Sequence, residues 1–354
     1  MKVAVLSFAH VHAATYLRLL SRMPGVDVLG SDPETDLAAP GEVRGRAVAD
    51  QARVAYADTY DEAFAWGPDA VIVCSENARH RPLVERAAAH GVPVLCEKPL
   101  AATVEDGEAM VAACRAAGVR LAVAYPVRFS PAYAAVKAAV SAGDAGRVLT
   151  VSGANNGAMP TRARRWFAEP ELSGGGALMD HTVHIADLLD DLFSEATPVE
   201  VYAQTNNLLY ADEVAAETSG LVSVTYSNGA VATIDCSWSH PRSHHSWGGL
   251  ELTVVGERAT LEMDAFDQKV HGFSERRGTG TEVPFGADLD ELMLRTFLYG
   301  AEEGAMTVAD GEGGLRTLRV VEAGYASARS GVPVTLRRDR GDRAPQDRPA
   351  AETQ

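Results

Sequence analysis

Between residues 3 and 124, short uninterrupted apolar runs alternate with segments of helical periodicity. Runs at 3–8, 26–31, 70–75, 94–96 and 120–124 read as strands. Segments at 13–21, 79–90 and 104–117 read as helices, and 34–52 as a helix with loops. A strand that is apolar on both faces must be covered on both faces. The pattern therefore predicts a Rossmann-type, mostly parallel sheet between two layers of helices. Such a sheet takes its ligand outside the carboxyl ends of its strands. The informative residues are then those that follow the strands: 7–12, Asp32, 75–77, 97–99 and 125–128.

After about residue 125 the pattern changes. One helix at 131–141 and a strand at 148–155 lead to a helical stretch near 177–192. Strand-like segments follow near 199–207, 214–226, 230–238, 248–255, 259–263, 268–273 and 280–285. Turn residues such as Ser227-Asn228-Gly229 separate them. This reads as a C-terminal α/β domain with a large, mostly antiparallel open sheet. One face should pack on helices. The other is expected to meet a second copy of the chain, giving a homodimer or homotetramer. Closing helices are expected at 289–303 and 310–329, packing back on the first domain. The expected division is 1–125 for a dinucleotide-binding domain and 126–335 for a substrate and oligomerisation domain. The polar tail, 337–354, cannot form a core and is expected to be disordered.

The balance of 48 acidic against 32 basic residues gives a net charge of -16 with no basic run. That disfavours nucleic acid and anionic membrane as partners. Cys74, Cys96, Cys114 and Cys236 form no CxxC pair and fit a reducing compartment. There is no secretory cleavage pattern and no apolar run of membrane-spanning length, so a soluble cytoplasmic protein is expected.

The chemistry concentrates in two places. In the stretch 166–191, Gly174-Gly175-Gly176 precedes a helical pattern carrying Asp180, His181, His184 and Asp187. Asp180 and His184 are four apart and share a helix face. An acid and an imidazole one turn apart can share a proton, or can form only a local hydrogen bond on a capped helix. The glycines would let the backbone approach a ligand closely. Leu178, Ile185, Leu188, Leu189 and Leu192 can cover the other side. The second place is Glu97-Lys98-Pro99, where a lysine leaves the end of a buried strand toward the crevice. A surface salt bridge is the alternative.

The first loop, Ser7-Phe8-Ala9-His10-Val11-His12, has none of the glycines of GxGxxG. Asp32 ends the second strand, where an acid accepts hydrogen bonds from an adenosine ribose and repels a 2'-phosphate. NAD is therefore expected over NADP, with an Asp-Pro turn as the alternative. The expected cofactor contacts are Ser7, Phe8, His12, Asp32, Ser75, Asn77, His80, Glu97 and Lys98, although His80 could instead cap its helix. Tyr125, Arg128, Trp166, His181 and His244 are expected on the substrate side, with Arg162, Arg164 and Arg165 nearby. Core packing for Tyr125 and ion pairs for the arginines are the alternatives. Several histidines, including His10, His12, His184, His240 and His245, fall near the crevice. No fixed metal-ligand spacing is present, and no metal is expected.

Two motifs, Cys96-Glu97-Lys98-Pro99-Leu100 and the run from Gly174-Gly175-Gly176 through Asp180 and His184 to Asp187, resemble those of a known family. Ser75-Glu76-Asn77 followed by His80 fits its nucleotide domain. The chain resembles the glucose-fructose oxidoreductase / inositol dehydrogenase / rhizopine catabolism (Gfo/Idh/MocA) family from residue 1 to about 335. That resemblance implies an NAD(P)-dependent oxidoreductase acting on a hydroxyl carbon of a sugar, cyclitol or related polyol. It also implies Lys98, Asp180 and His184 as the catalytic trio, with Gly174–Gly176 shaping the approach to them. Two alternatives stay open: a glycoside lyase or hydrolase using tightly bound NAD transiently, and a non-catalytic sensor that keeps the fold.

Overall fold

Strand β1 (Lys2–Leu6) sits inside a seven-stranded sheet, and alternate residues of it enter different cores. Val3 and Val5 join Leu17, Leu20 and Phe297 on one face. Ala4 and Leu6 join a core that continues through Leu100 and Leu178 to Leu250 in the second half of the chain. A computed structural model describes residues 1–336, apart from 242, 245, 247, 277, 303 and 304. The expected disordered tail, 337–354, lies outside the described residues, as does His245.

The first half runs β1, α1 (His12–Leu20), β2 (Asp27–Ser31), α2 (Arg46–Ala52), β3 (Ala55–Ala57), α3 (Tyr60–Ala65), β4 (Ala70–Val73), α4 (His80–Ala89), β5 (Val94–Cys96), α5 (Val104–Ala117) and β6 (Leu121–Val123). The five expected strands all form. Short β3 and α3 were not anticipated, because three to six residues carry too little periodicity to read. Thr59 and Thr103 accept hydrogen bonds from the backbone N–H groups of Glu62 and Asp106, and so start α3 and α5.

The second half runs α6 (Pro131–Ser141), β7 (Val148–Ala158), α7 (Pro170–Ser173), α8 (Ala177–Phe193), β8 (Pro198–Asn206), β9 (Ser219–Tyr226), β10 (Val231–His240), β11 (Gly248–Gly256), β12 (Thr260–Asp264), β13 (Lys269–Ser274), β14 (Thr279–Pro284), α9 (Leu289–Tyr299), β15 (Ala309–Asp310), α10 (Gly311–Ser330) and β16 (Val334–Thr335). The first sheet has the order β15-β6-β5-β4-β1-β2-β3 and is parallel except for β15. The second has the order β12-β11-β7-β10-β9-β8-β16. It is mixed, since β7 and β10 pair in parallel at its centre. The segments expected at 268–273 and 280–285 do not join it. They form a separate hairpin, β13–β14.

Helix α10 ties the halves together. It follows β15 in the first sheet and precedes β16 in the second. Helix α8 packs on β7, β9 and β10 and against α10. Leu178, Ile185, Leu188 and Leu189 are fully buried, as the apolar stripe predicts. No helix among the described residues is long and apolar enough to cross a membrane.

Candidate active site

Lys98 leaves the carboxyl end of β5, and its ammonium meets α8. Nζ lies 2.7 Å from Asp180 Oδ1 and 3.2 Å from the Asp180 carbonyl oxygen. Both side chains are buried. Trp238 Nε1 of β10 donates to Asp180 Oδ2 at 3.0 Å, and His181 Nε2 lies 3.3 Å from the same oxygen. Burial alone would raise the Asp180 carboxyl. Lys98 and His181 outweigh it and hold the group well below the ordinary carboxylate range. Asp180 is thus an ionised anchor with donors on both oxygens. The imidazole it orients is His181, not His184 as the one-turn spacing suggested. His181 Nδ1 in turn bonds the Asn155 carbonyl oxygen at 2.8 Å.

His184, one turn further along α8, faces the same cleft, and its Nδ1 is buried without a hydrogen-bond partner. Burial, then the charge of Lys98, holds its imidazole well below its ordinary pKa of 6.5. It is neutral at physiological pH and able to accept a proton. The cleft holds about 500 Å³ and is lined from both halves of the chain. His10, His12 and Lys98 line it from the first half, and Asn155 and the three residues of α8 from the second. Asp288 and Asp290 also line it.

The first loop turns back on Glu97. His12 Nδ1 lies 3.0 Å from Glu97 Oε1, and His10 Nδ1 lies 3.8 Å from the same atom. Burial opposes ionisation of Glu97, but the two imidazoles draw its carboxyl below the ordinary range.

The nucleotide crevice is partly filled by the protein itself. Asp32 ends β2 as expected, but Arg44 grips it, with Nη2 on Oδ1 at 2.8 Å and Nε on Oδ2 at 3.2 Å. The Gly45 N–H adds a third bond at 2.9 Å. Arg44 also reaches Glu76 Oε1 at 3.2 Å and Ser7 Oγ at 3.3 Å. Ser7 adopts φ +61°, so the turn a glycine makes survives in a serine. The loop N–H groups of Ala9, His10 and His12 are taken by Ser7 Oγ, the Cys74 carbonyl oxygen and His10 Nδ1. A dinucleotide therefore finds the turn and the acid in place. It also finds Ser31 Oγ, Ser75 Oγ and Asn77 Oδ1 buried without partners at neighbouring strand ends. The acid at the end of β2, Asp32, is already paired with Arg44.

Several residues expected to contact a ligand are engaged by other parts of the protein. His80 is fully buried, with its ring nitrogens 3.1 Å from the Leu100 carbonyl oxygen and 3.2 Å from that of Ser75. Phe8 is fully buried and packs on Gly30. Tyr125 is buried with its hydroxyl 2.9 Å from Thr317 Oγ1. Arg128 donates to Asp187 at 2.7 Å and to Asp191 at 3.4 Å, both on α8. Trp166 Nε1 donates to the Ala9 carbonyl oxygen at 3.0 Å, beside Arg164 Nε at 2.8 Å. These two pin the second half on the first loop. Asn77 Nδ2 donates to the Ser173 carbonyl oxygen across the same junction. His244 stacks on His240 beside a separate pocket of about 220 Å³. The three glycines face protein. A Cβ on Gly175 would lie 1.8 Å from Tyr325 Oη, and one on Gly176 2.0 Å from the Glu217 carbonyl oxygen. Glu217 Oε1 accepts the N–H groups of Gly176 and Leu178, capping α8 with a carboxylate.

The residues that sequence reading missed are Arg44, Trp238, Asn155 and Glu217. Each lies in a loop or strand whose local pattern is ordinary. Only its long-range partner marks it.

Family models match two stretches: one for an oxidoreductase family with an NAD-binding Rossmann fold over 19–125, and one for the GFO/IDH/MocA C-terminal domain over 133–262. D-apiose dehydrogenase of Paraburkholderia graminis is 30% identical over 285 residues, covering 76% of this chain and 73% of that protein. D-xylose 1-dehydrogenase [NADP(+)] of Haloarcula marismortui is 30% identical over 327 residues, covering 89% of each. Among solved structures, GenD2 from gentamicin A biosynthesis, in complex with NAD, superimposes with a TM-score of 0.80 at 23% identity, covering 96% of this chain and 97% of that one. At that identity the likeness carries the fold.

Proposed function

Because this chain belongs to the Gfo/Idh/MocA oxidoreductase family, we propose that it is an NAD(P)-dependent dehydrogenase of CH–OH groups, with a sugar, cyclitol or related polyol as substrate. The observation that carries this reading is the contact of Lys98 with Asp180 at 2.7 Å in the floor of the cleft, with His184 one turn beyond. Residues 1–125 form the nucleotide unit, and 126–335 the substrate and oligomerisation unit. NAD is the preferred cofactor, since Asp32 is set to bind a ribose once Arg44 releases it.

When bound, the nicotinamide supplies the hydride acceptor. The chain's own work is proton handling and orientation. A substrate hydroxyl lies between Lys98 and His184. Neutral His184 takes its proton at a ring nitrogen. The Lys98 ammonium, held by Asp180, donates to the oxygen as negative charge develops there. Trp238 and His181 keep Asp180 fixed, and Asn155 Oδ1, buried without a partner, offers a polar contact at the cleft wall. The open face of the second sheet carries Ser152, Leu221, Thr233 and Asp235 at its surface, and pairs with a second copy of the chain, to be checked by sedimentation mass.

The test is a turnover screen of inositols and aldoses with NAD and NADP, read as reduced cofactor formed. The reading predicts at least one polyol that reduces one of the two cofactors. It fails if no polyol does so and calorimetry detects binding of neither cofactor.

A further inference from the structure

We propose that His10, His12 and Glu97 form a binding site for a divalent transition-metal ion of the zinc class at the floor of the cleft, with one coordination position open to it. One donor atom from each of the three side chains lies within 4.8 Å of the other two. A tetrahedral ion with bonds of about 2.0–2.2 Å holds its ligand atoms roughly 3.3–3.6 Å apart. The observed separations from Glu97 Oε1, 3.0 Å to His12 Nδ1 and 3.8 Å to His10 Nδ1, bracket that spacing. Closing on an ion would change each of these two distances by less than about 1 Å. It would also take His10 Nδ1 from the His12 N–H that it now accepts at 3.2 Å.

The charge arrangement points the same way. Glu97 is fully buried, yet among the described residues no lysine or arginine lies within ion-pair distance of it. The nearest cation in sequence, Lys98, sends its ammonium to Asp180. A buried carboxylate calls for a cation beside it. Asp290 adds a second carboxylate to the same wall of the cleft. His10 is 2% exposed, and its Nε2 has no hydrogen-bond partner. A hydrogen bond to Glu97 occupies His12, while the His10 ring, 4.3 Å away between centroids, accepts the His12 N–H at Nδ1 and leaves its Nε2 without a partner.

Two imidazoles and a carboxylate suit zinc and its neighbours rather than calcium or magnesium. Three protein ligands with a free position are the pattern of a reactive site, not of a closed structural one. His12 is half-buried and faces the cleft, so the free position opens toward an oxygen of whatever fills it.

The test uses full-length protein stripped by chelator and titrated with Co²⁺, followed by visible d–d absorption and by thermal denaturation. One equivalent should bind and be displaced by Zn²⁺. His12→Asn, at a half-buried position, should weaken Co²⁺ binding by more than the roughly 10–100-fold that loss of an outer partner costs. His244→Asn should leave it unchanged. A second readout needs no variant: a crystal soaked in Co²⁺ should show anomalous density between residues 10, 12 and 97. A folded wild-type protein that takes up no Co²⁺ overturns the proposal. So does anomalous density only at the His240–His244 pair.

Discussion

A lysine and an aspartate 82 positions apart in the chain make the contact on which the chemistry turns, and the two are hard to separate experimentally. Lys98→Met removes a cationic donor from the developing oxyanion, and should lower kcat by about 10²–10³-fold. It also strands a buried carboxylate, a loss of about 3–5 kcal/mol when nothing else compensates. Trp238 and His181 still address Asp180, so the fall should sit at the lower end. The double variant Lys98→Met/Asp180→Asn should recover most of the melting temperature and none of the turnover. Recovery of turnover in the double variant would remove Lys98 from the mechanism. His184 sets the pH response. A proton acceptor must be neutral, and an ordinary histidine is half protonated at pH 6.5. With its pKa held lower by burial and Lys98, His184 is still neutral as the pH falls through 6.5. The profile of kcat/KM should therefore stay level there and turn down only at more acidic pH. A limb centred at 6.5 or above would place the proton acceptor elsewhere.

At the scale of the element, α8 is held at both ends of its polar face. Its first turn is capped by Glu217 and Tyr325, whose hydroxyl donates to the same carboxylate oxygen at 2.7 Å. Its later turns carry Asp187 and Asp191, which clasp Arg128. The glycines before it are small because Tyr325 and the backbone of residue 217 already occupy the space. Gly176→Ala should therefore destabilise the fold by at least the ~1–3 kcal/mol typical of overpacking, read as a lowered denaturation midpoint. Ligand affinity of whatever folded protein remains should change little. A variant that melts normally but loses affinity for cofactor or polyol would restore the ligand-approach role to this loop.

Across the whole molecule, α10 bridges both sheets, while Trp166 and Arg164 bond the first loop from the second half. These contacts help to hold together the two halves that line the cleft. Arg44 belongs to this scale as well, since it pairs with Asp32 and Glu76 from a loop whose neighbours Val43 and Glu42 bond Arg164 and Arg165 of the second half. Arg44→Ala should leave Asp32 and Glu76 buried without their main cation, costing about 3–5 kcal/mol in the ligand-free protein. It should also free Asp32 for ribose hydroxyls. NAD should then raise the melting temperature of the variant more than that of the wild type. Equal shifts in the two proteins would mean that Arg44 does not stand in the way of the cofactor.

Local pattern was enough for the buried strands of the first sheet other than β3, for the long helices, and for singling out Lys98, Asp180 and His184 as candidates, because apolar periodicity and strand-end position are properties of neighbours in the chain. Buried strands 70–73 and 94–96 and helices 104–117 and 131–141 were legible for that reason. What a side chain touches is not such a property. Whether Asp32 meets a ribose or Arg44, whether Arg128 meets substrate or α8, and whether the glycines admit a ligand or Tyr325 depends on segments far away in sequence. Those partners are chosen when the sheets pack and bury charge, since each buried carboxylate must then find a donor within about 3 Å. The chain order supplied the candidates, and packing decided which of them face the cleft.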